Sequence, residues 1–397
     1  MTTRRNRGRV AASAIIASLG LAALAACGGN SSSPTATGSQ GGSGDQAGAS
    51  AAGIATAKAA VAKIQAPLTT WPSSPAVTNP VSLKGKTIML LPLGESIPVI
   101  NGQTAAAQAA LQHMGATVTI CDGKFDPSAV SSCLQQAASQ HVYALMSLFV
   151  DYQMAPNAFN STVAAGVKVL VGGEPADGDA KPGPNFAFYN TNDTVALGQQ
   201  YLADDALADL GTTANLLYLH LSDSAMTTSS GQAGIDEFTK LCPTCGIATI
   251  NFTTANLDKV PSAVSAALVS HPKTNVVIVP VDTFVPAAIQ GIQSAGFAGK
   301  VEVLGASSDL AGLQRVKAGQ QAHDLGASVV FEGYRAANAL MQLLSGDKVV
   351  DESTIATRDF NKTTVGGLSL TTAAYDSPEW FGNNSFEAAF YKSWGGN

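Results

Sequence analysis

The sequence predicts an α/β protein in which parallel sheets, covered by helices, are divided between two lobes. From about residue 82 onward, short runs of β-branched and aliphatic residues alternate with Ala-rich stretches of helical length. Strands that alternate with helices of about 10–15 residues form parallel βαβ units. The run 87–91, Thr-Ile-Met-Leu-Leu, is apolar on both faces, as a covered sheet requires. A chain of 397 residues is too long for one such core, so two lobes are expected.

The predicted elements follow one another in regular order along the chain. Strands are predicted at 87–91, 117–121, 144–147, 168–171, 214–220, 247–252, 276–279, 301–304 and 323–327. Helices are predicted at 100–114, 127–140, 194–210, 231–241, 260–270, 285–295 and 329–344. A short amphipathic helix at 385–394, which carries Tyr391 and Trp394, is expected to pack onto one lobe.

The first 27 residues have the parts of a secretory signal in the expected order. A basic head precedes an apolar run at 10–26, and Leu24-Ala25-Ala26-Cys27 is followed by two glycines. This stretch resembles the lipobox of bacterial lipoproteins, which implies that Cys27 is diacylated and becomes the first mature residue. Acyl chains anchor a protein because each buried methylene contributes ~0.8 kcal/mol. An ordinary signal peptide and a short membrane helix with an accidental cysteine are the simpler alternatives.

Residues 28–82 are predicted to be a flexible tether and a segment that leads to the folded body. The tract 30–50 consists of small and polar residues, which bury too little surface to offset the entropy of ordering. A helix is possible at 51–64, and four prolines then punctuate the approach, Pro67, Pro72, Pro75 and Pro80. No later segment is apolar over the about 20 residues that a membrane span needs, so the body is expected outside the cytoplasm, tethered and soluble.

The charge pattern excludes several classes of partner. The net charge is −6 and only 13% of residues are charged. No basic block for nucleic acid and no polybasic stretch for anionic lipid follows the signal. The motifs GxxxxGK[ST], HExxH and GxSxG are absent, and the five histidines are scattered singly. We therefore expect no enzyme, catalytic residue, metal or cofactor.

Four of the five cysteines remain once the lipid-bearing Cys27 is set aside. An even number in an oxidising compartment indicates disulfides, and the close spacings favour two local bridges, Cys121–Cys133 and Cys242–Cys245. The alternative for Cys242-Pro-Thr-Cys245 is a redox or zinc motif, for which a single CxxC is weak evidence.

Short segments spread over residues 84–350 resemble the type I periplasmic binding proteins, in particular their ribose-binding-like branch. They include the strand from Lys86 with the loop 94–98, the helix exit at 114–116, the turn 189–192 and the segment 305–319. The resemblance implies two Rossmann-like lobes, 83–190 plus 328–357 and 191–327 plus 358–397. Three crossings would join them as a hinge, near 190–192, 325–328 and 356–359, with a solute bound in the cleft.

The candidate site departs from the ribose-type pattern. Arginines are absent from 148–152 and 225–229, and Ser307 replaces an aspartate. Sugar hydroxyls require bidentate donors and carboxylates, so a pocket less polar than a ribose pocket is expected, and both sugars and less polar organic solutes remain open. The predicted ligand-binding residues are Glu95, Ser96, Phe149, Asp151, Tyr152, Glu174, Asn190, Ser224, Met226, Asp282, Phe284 and Ser307.

Three functions compete at this point. The first is a lipid-anchored, monomeric receptor that delivers a small-molecule solute to the membrane permease of an ATP-binding-cassette importer. The second is a sensor that presents its ligand to a membrane kinase or chemoreceptor. The third and weakest is a thiol oxidoreductase that uses Cys242 and Cys245.

Overall fold

Two separate, mostly parallel sheets form the framework of the protein. The computed structural model describes residues 42–396, so the predicted signal and Cys27 lie outside the described residues. The first sheet has the order β2-β1-β3-β4-β5. Its strands are β1 Thr87–Pro92, β2 Thr117–Ile120, β3 Ala144–Leu148, β4 Lys168–Gly173 and β5 Phe186–Asn190.

The second sheet has the order β11-β10-β9-β8-β6-β7, in which only the β10–β11 pair is antiparallel. Its strands are β6 Asn215–Leu221, β7 Gly246–Phe252, β8 Val276–Ile278, β9 Glu302–Ala306, β10 His323–Ala327 and β11 Thr357–Asn361. The predicted fold class is therefore confirmed.

Twelve α-helices accompany the strands in the described part of the chain. They are α1 Gly42–Ile64, α2 Pro98–His113, α3 Pro127–Ser139, α4 Pro156–Ala164, α5 Asn192–Leu210, α6 Ala225–Leu241, α7 Val260–Ser270, α8 Val285–Ser294, α9 Leu310–Ala318, α10 Val329–Ser345, α11 Thr372–Tyr375 and α12 Ser385–Ser393. None of the helices in this part is long and apolar enough to cross a membrane.

Apolar side chains on consecutive strand positions enter cores on opposite faces of each sheet. Ile88 packs with α2 and α10, whereas Met89, the next residue of β1, packs with α3 and α4. In β6, Leu216 packs with α5 and Leu217 with α7 and α8. Successive side chains of a strand point to opposite faces, so a strand that is apolar throughout needs helices on both. This is the physical reason why these runs became central strands.

The chain passes between the two sheets three times. It leaves the first sheet between β5 and α5, returns between β10 and α10, and leaves again along 346–356 between α10 and β11. Helix α10 packs against α2, β4 and β5 and is buried almost throughout. These passages lie close to those that the resemblance implied.

Helix α1 begins earlier than the sequence indicated and is packed on the body. The tract 30–50 was expected to be flexible, but α1 begins at Gly42 and lies against α5 and α6. Gly53 is the reason for the close contact, because a Cβ there would lie 1.9 Å from the Leu241 carbonyl oxygen. Ser50 is fully buried, and its hydroxyl lies 2.9 Å from that of Thr244. The small residues of α1 therefore let its backbone lie close to the body of the protein, although large apolar side chains are absent.

The C-terminal segment also differs from the expected lobe assignment, which placed all of 358–397 with the second lobe. The predicted helix at 385–394 is present as α12, but it packs on α10 beside the first sheet. Phe386, Phe390 and Trp394 fill that interface, and the Trp394 indole donates to the Asn338 side chain at 2.8 Å. Trp380 instead packs with Phe360 of the second sheet. The tail therefore contacts both sheets.

Both expected disulfides are present in the structure, Cys121–Cys133 and Cys242–Cys245. The first joins the end of β2 to α3, and the second closes the turn between α6 and β7.

Candidate functional site

A cavity of about 430 Å³ lies where the carboxyl ends of both sheets meet. Loops that follow eight parallel strands contribute to its wall, together with the starts of α2, α5 and α6 and the crossing at Ile355. In open parallel sheets, the loops at the carboxyl ends of the strands form the usual ligand crevice. The volume is within the range of small-molecule sites.

The wall is largely apolar. Aliphatic side chains from both sheets line it, and three phenylalanines stand among them, Phe125, Phe149 and Phe284. Phe125 and Phe149 have positive φ angles, 55° and 61°, a conformation that costs a non-glycine residue free energy. Each ring packs where a glycine leaves space, because a Cβ at Gly173 would lie 2.7 Å from the Phe149 ring, and one at Gly94 would overlap Phe125. The strained backbone therefore directs both rings to the cavity.

The charged groups of the wall are all acidic. They are Asp151, Glu174 and Asp223, and no lysine, arginine or histidine is present among the lining residues. Asp151 accepts a hydrogen bond from the Gln153 amide at 2.7 Å, and Asp223 accepts from Thr254 with both carboxylate oxygens. The Glu174 Oε2 atom is buried and has no hydrogen-bond partner. One oxygen of this carboxyl is thus left without a partner in the described part of the protein.

Glu174 faces the second sheet from the end of the first. It follows Gly173 at the end of β4, is 2% exposed, and lies near Ser224 and Met226 at the start of α6. Burial raises the pKa of the Glu174 carboxyl to about 8; the Ser224 hydroxyl opposes this, and the Asp151 charge adds to it. The carboxyl is therefore mostly protonated at neutral pH when no cation is beside it.

Most of the predicted ligand-binding residues lie in this wall. The structure places there Phe149, Asp151, Glu174, Ser224, Met226, Phe284 and Ser307. They come from separate strand ends, and their role toward a ligand remains a prediction.

The other predicted residues lie elsewhere, each for a local reason. Tyr152 is fully buried in the core of the first sheet, where its hydroxyl accepts from the Asn160 amide at 2.9 Å. Asp282 is also fully buried and pairs with Arg315 at 3.2 Å. The Asn190 side chain accepts from the backbone of Asn192 and caps the first crossing. Glu95 and Ser96 lie in the loop before α2 and are not among the lining residues.

Several polar residues of the wall were not predicted. Gln199 lies on α5, where its Oε1 accepts from the Tyr218 hydroxyl at 2.6 Å. Gln103 lies on α2, and Thr227 and Ser230 lie on the first turns of α6. Their positions in the sequence could have predicted them, because a helix that follows a strand end directs its first turns at the same crevice.

The chain matches one protein family over most of its folded part. Residues 88–348 match the family described as "Periplasmic binding protein domain". Among curated protein sequences, none matches the chain significantly.

Solved structures with the same fold are similar to this one at low sequence identity. A periplasmic ribose ABC transporter protein from Conexibacter woesei has 19% identity and a TM-score of 0.60, over 74% of this chain and 98% of that one. A 5-methylthioribose transporter solute-binding protein from Thermotoga lettingae has 15% identity and a TM-score of 0.62, over 79% and 99%. The Caulobacter myo-inositol binding protein has 19% identity and a TM-score of 0.60, over 71% of this chain and 95% of that one.

Proposed function

Because the chain belongs to the periplasmic binding proteins, in their type I, ribose-binding-like branch, we propose that it captures a small molecule between its two sheets. It then delivers this solute to the membrane permease of an ATP-binding-cassette importer. The structural relatives named above carry the titles of such binding proteins, for ribose, 5-methylthioribose and myo-inositol.

The cavity at the junction of the two sheets is the observation that carries the proposal. Its wall combines strand ends of the first sheet, such as Phe149 and Glu174, with those of the second, such as Ser224 and Phe284. Three passages of the main chain join the two halves, and the C-terminal segment also contacts both. Rotation about a few such residues is how hinged proteins close on a ligand. A solute in this cavity would contact both halves and favour the closed form.

The place of action follows from the family and from the N-terminus. Periplasmic binding proteins act outside the cytoplasm, and the signal-like residues 1–26 are in keeping with export. Diacylation at Cys27 would then hold the protein at the membrane close to its permease. Residues 28–41 would connect the anchor to α1.

A thermal-shift screen of small solutes, followed by calorimetry, tests the proposal. A true ligand at a hundredfold excess over Kd stabilises the folded state by about 2.7 kcal/mol. Small-angle scattering should then show a smaller radius of gyration with the ligand than without it. If the ligand from the screen leaves the radius unchanged and binds a Phe149→Ala variant normally, neither the cavity nor the hinge has the proposed role.

Phe149→Ala has a matched control in Phe238→Ala. Phe149 is half-buried at the cavity, so its removal should weaken binding and change the melting temperature little. Phe238 is fully buried in the core of the second sheet, and its removal should cost about 3–5 kcal/mol of stability. The folded fraction of the control should bind as the parent does.

A further inference from the structure

We propose that the captured solute is an organic cation, an ammonium group on an apolar body, whose charge is held at Glu174. The inference rests on the proposed capture function and specifies its ligand. It differs from the sugars that the sequence left open.

The electrostatics of the wall favour a cation over an anion or a polyol. Its ionisable groups are three carboxyls, Asp151, Glu174 and Asp223, with no basic side chain to balance them. Negative groups that line a low-dielectric cleft attract positive solutes and repel anions. A polyol would need several free donors and acceptors; Asp223 and Gln199 are already engaged with Thr254 and Tyr218, whereas the side chains of Gln103 and Ser307 make no hydrogen bond within the described residues. The wall therefore offers mainly apolar surface and acidic groups, with few free neutral hydrogen-bonding groups beside them.

Glu174 is the specific point of attachment. Its Oε2 atom is buried without a partner, which is costly unless a ligand supplies a donor or a charge. The charged groups that face it are Asp151, from the loop after β3, and Asp177, from its own loop; α6 presents Ser224 and the Met226 amide. The protein supplies hydrogen-bond donors and further negative charge there, and no cation. An ammonium group at this position would provide both the missing donor and the missing charge.

The aromatic side chains suit the same ligand. Phe125, Phe149 and Phe284 come from three different loops and all line the cavity. The face of an aromatic ring attracts a cation, and recognition sites for quaternary ammonium groups use such rings. The aliphatic remainder of the wall would bury the apolar body of the ligand.

Binding of a cation should release a proton. In the free protein the pKa of Glu174 is about 8, so the carboxyl is mostly protonated at pH 7. A bound ammonium favours the ionised form and lowers that pKa, so roughly one proton leaves for each ligand bound. Because the ligand binds the ionised form, affinity for a permanently charged cation should fall by up to tenfold per pH unit below pH 8. A neutral ligand should show neither effect.

Calorimetry on the full chain with four probes tests the inference. The probes are 2-phenylethylamine and its neutral isostere 2-phenylethanol, and choline and ribose as a cation and a sugar without an aromatic ring. We expect the amine to bind at least tenfold more tightly than the alcohol at pH 7. Titrations in two buffers of different ionisation enthalpy should show the proton release, and choline should show the pH dependence.

The variant Glu174→Gln keeps the shape and removes the charge. It should weaken binding of the amine and of choline at least tenfold and abolish the proton release. Its affinity for the alcohol should stay within about twofold of that of the parent protein. Asp236→Asn, on the exposed face of α6, is the matched control and should bind all probes as the parent does.

Three outcomes overturn the inference and leave solute capture standing. They are tighter binding of ribose or the alcohol than of the amines, amine binding that Glu174→Gln does not change, and cation binding without proton release in the parent protein. Failure of all four probes at millimolar concentration overturns it as well. The capture function itself fails only if the wide screen and the scattering experiment also find no ligand and no closure.

Discussion

Replacing Arg335 tests how the third passage between the sheets is held. Arg335 lies on α10 and is fully buried. Its Nε donates to Glu352 at 2.8 Å, and its Nη1 donates to Glu332 at 3.1 Å and to the Thr354 carbonyl at 3.0 Å. Glu352 and Thr354 belong to the passage, and the next residue, Ile355, lines the cavity. The guanidinium thus fixes the backbone directly beside the site.

The variant Arg335→Met should lower the free energy of unfolding by about 3–5 kcal/mol. The apolar side chain replaces most of the volume, so the loss comes from the buried Glu352 carboxylate that is left without its partner. Burial already raises the pKa of Glu352, and the loss of Arg335 should raise it further. Protonation of Glu352 then removes the unpaired charge, so the destabilisation should be smaller at pH 5 than at pH 8.

Urea unfolding at the two pH values measures both effects, and Lys240→Met is the control. Lys240 pairs with Glu237 at 2.9 Å on α6, but its side chain is 70% exposed. An exposed pair of this kind contributes about 0–1 kcal/mol. The double variant Arg335→Met with Glu352→Gln should recover part of the loss, because it removes the unpaired charge. If Arg335→Met costs no more than Lys240→Met at pH 8, the buried pair does not hold the passage.

Three further predictions concern other parts of the molecule. Gly173→Ala should reduce ligand affinity and cost more stability than Gly166→Ala in urea unfolding; both have φ near 90°, but only at Gly173 would the new Cβ meet Phe149. Equal effects would show that this contact is unimportant. Burial alone would lower the pKa of His323, but the hydrogen-bonded side chains of Asp209 and Asp359 outweigh this effect and raise the pKa to about 11. NMR should show the His323 ring still protonated at pH 9, and a ring that is deprotonated by pH 8 would contradict this. The stabilisation of the folded state by these pairs should be full below about pH 6.5 and should decline as the pH rises toward 11. Cys27→Ser should release the protein from the membrane fraction, and unchanged retention would refute lipid anchoring.

Apolar periodicity predicted the central strands and the edge strands β2 and β7, but it missed the edge strands β5 and β11. Strand β1 was evident because all of its inward positions on both faces are apolar. Strand β11, Thr-Arg-Asp-Phe-Asn, is just as buried but mostly polar, and its burial depends on partners far away in the chain. Arg358 donates to the Gln65 and Trp380 carbonyls, and Asp359 accepts from His323. Such long-range pairing leaves no periodic signal in the sequence.

For the site, the sequence predicted the position of the cavity better than the orientation of individual side chains. The strand ends predicted where the cavity lies, but they did not predict which of two adjacent side chains would face it. A 3-10 turn at Tyr152–Met154 explains the error. Asp151 stays at its start as the cap and lines the cavity, while Tyr152 turns into the core. Asp282, which was also predicted to bind the ligand, lies outside the wall for another reason: it is buried and paired with Arg315, which is distant in sequence.

Three buried carboxyls beside the cavity and the passages are paired with basic groups, and Glu174 differs from them. Asp282 has Arg315, Asp359 has His323 and Glu352 has Arg335, each within 3.2 Å. Pairing of this kind makes a buried charge tolerable, and its partner comes from a fixed element of the fold. Glu174 is buried to the same degree, yet the charges near it are acidic and one of its oxygens has no partner. Other buried carboxyls, such as Asp204, Asp205 and Asp324, also have an oxygen without a partner. Of the described carboxyls with such an oxygen, only Glu174 lines the cavity, so it is the one whose partner an entering molecule could supply.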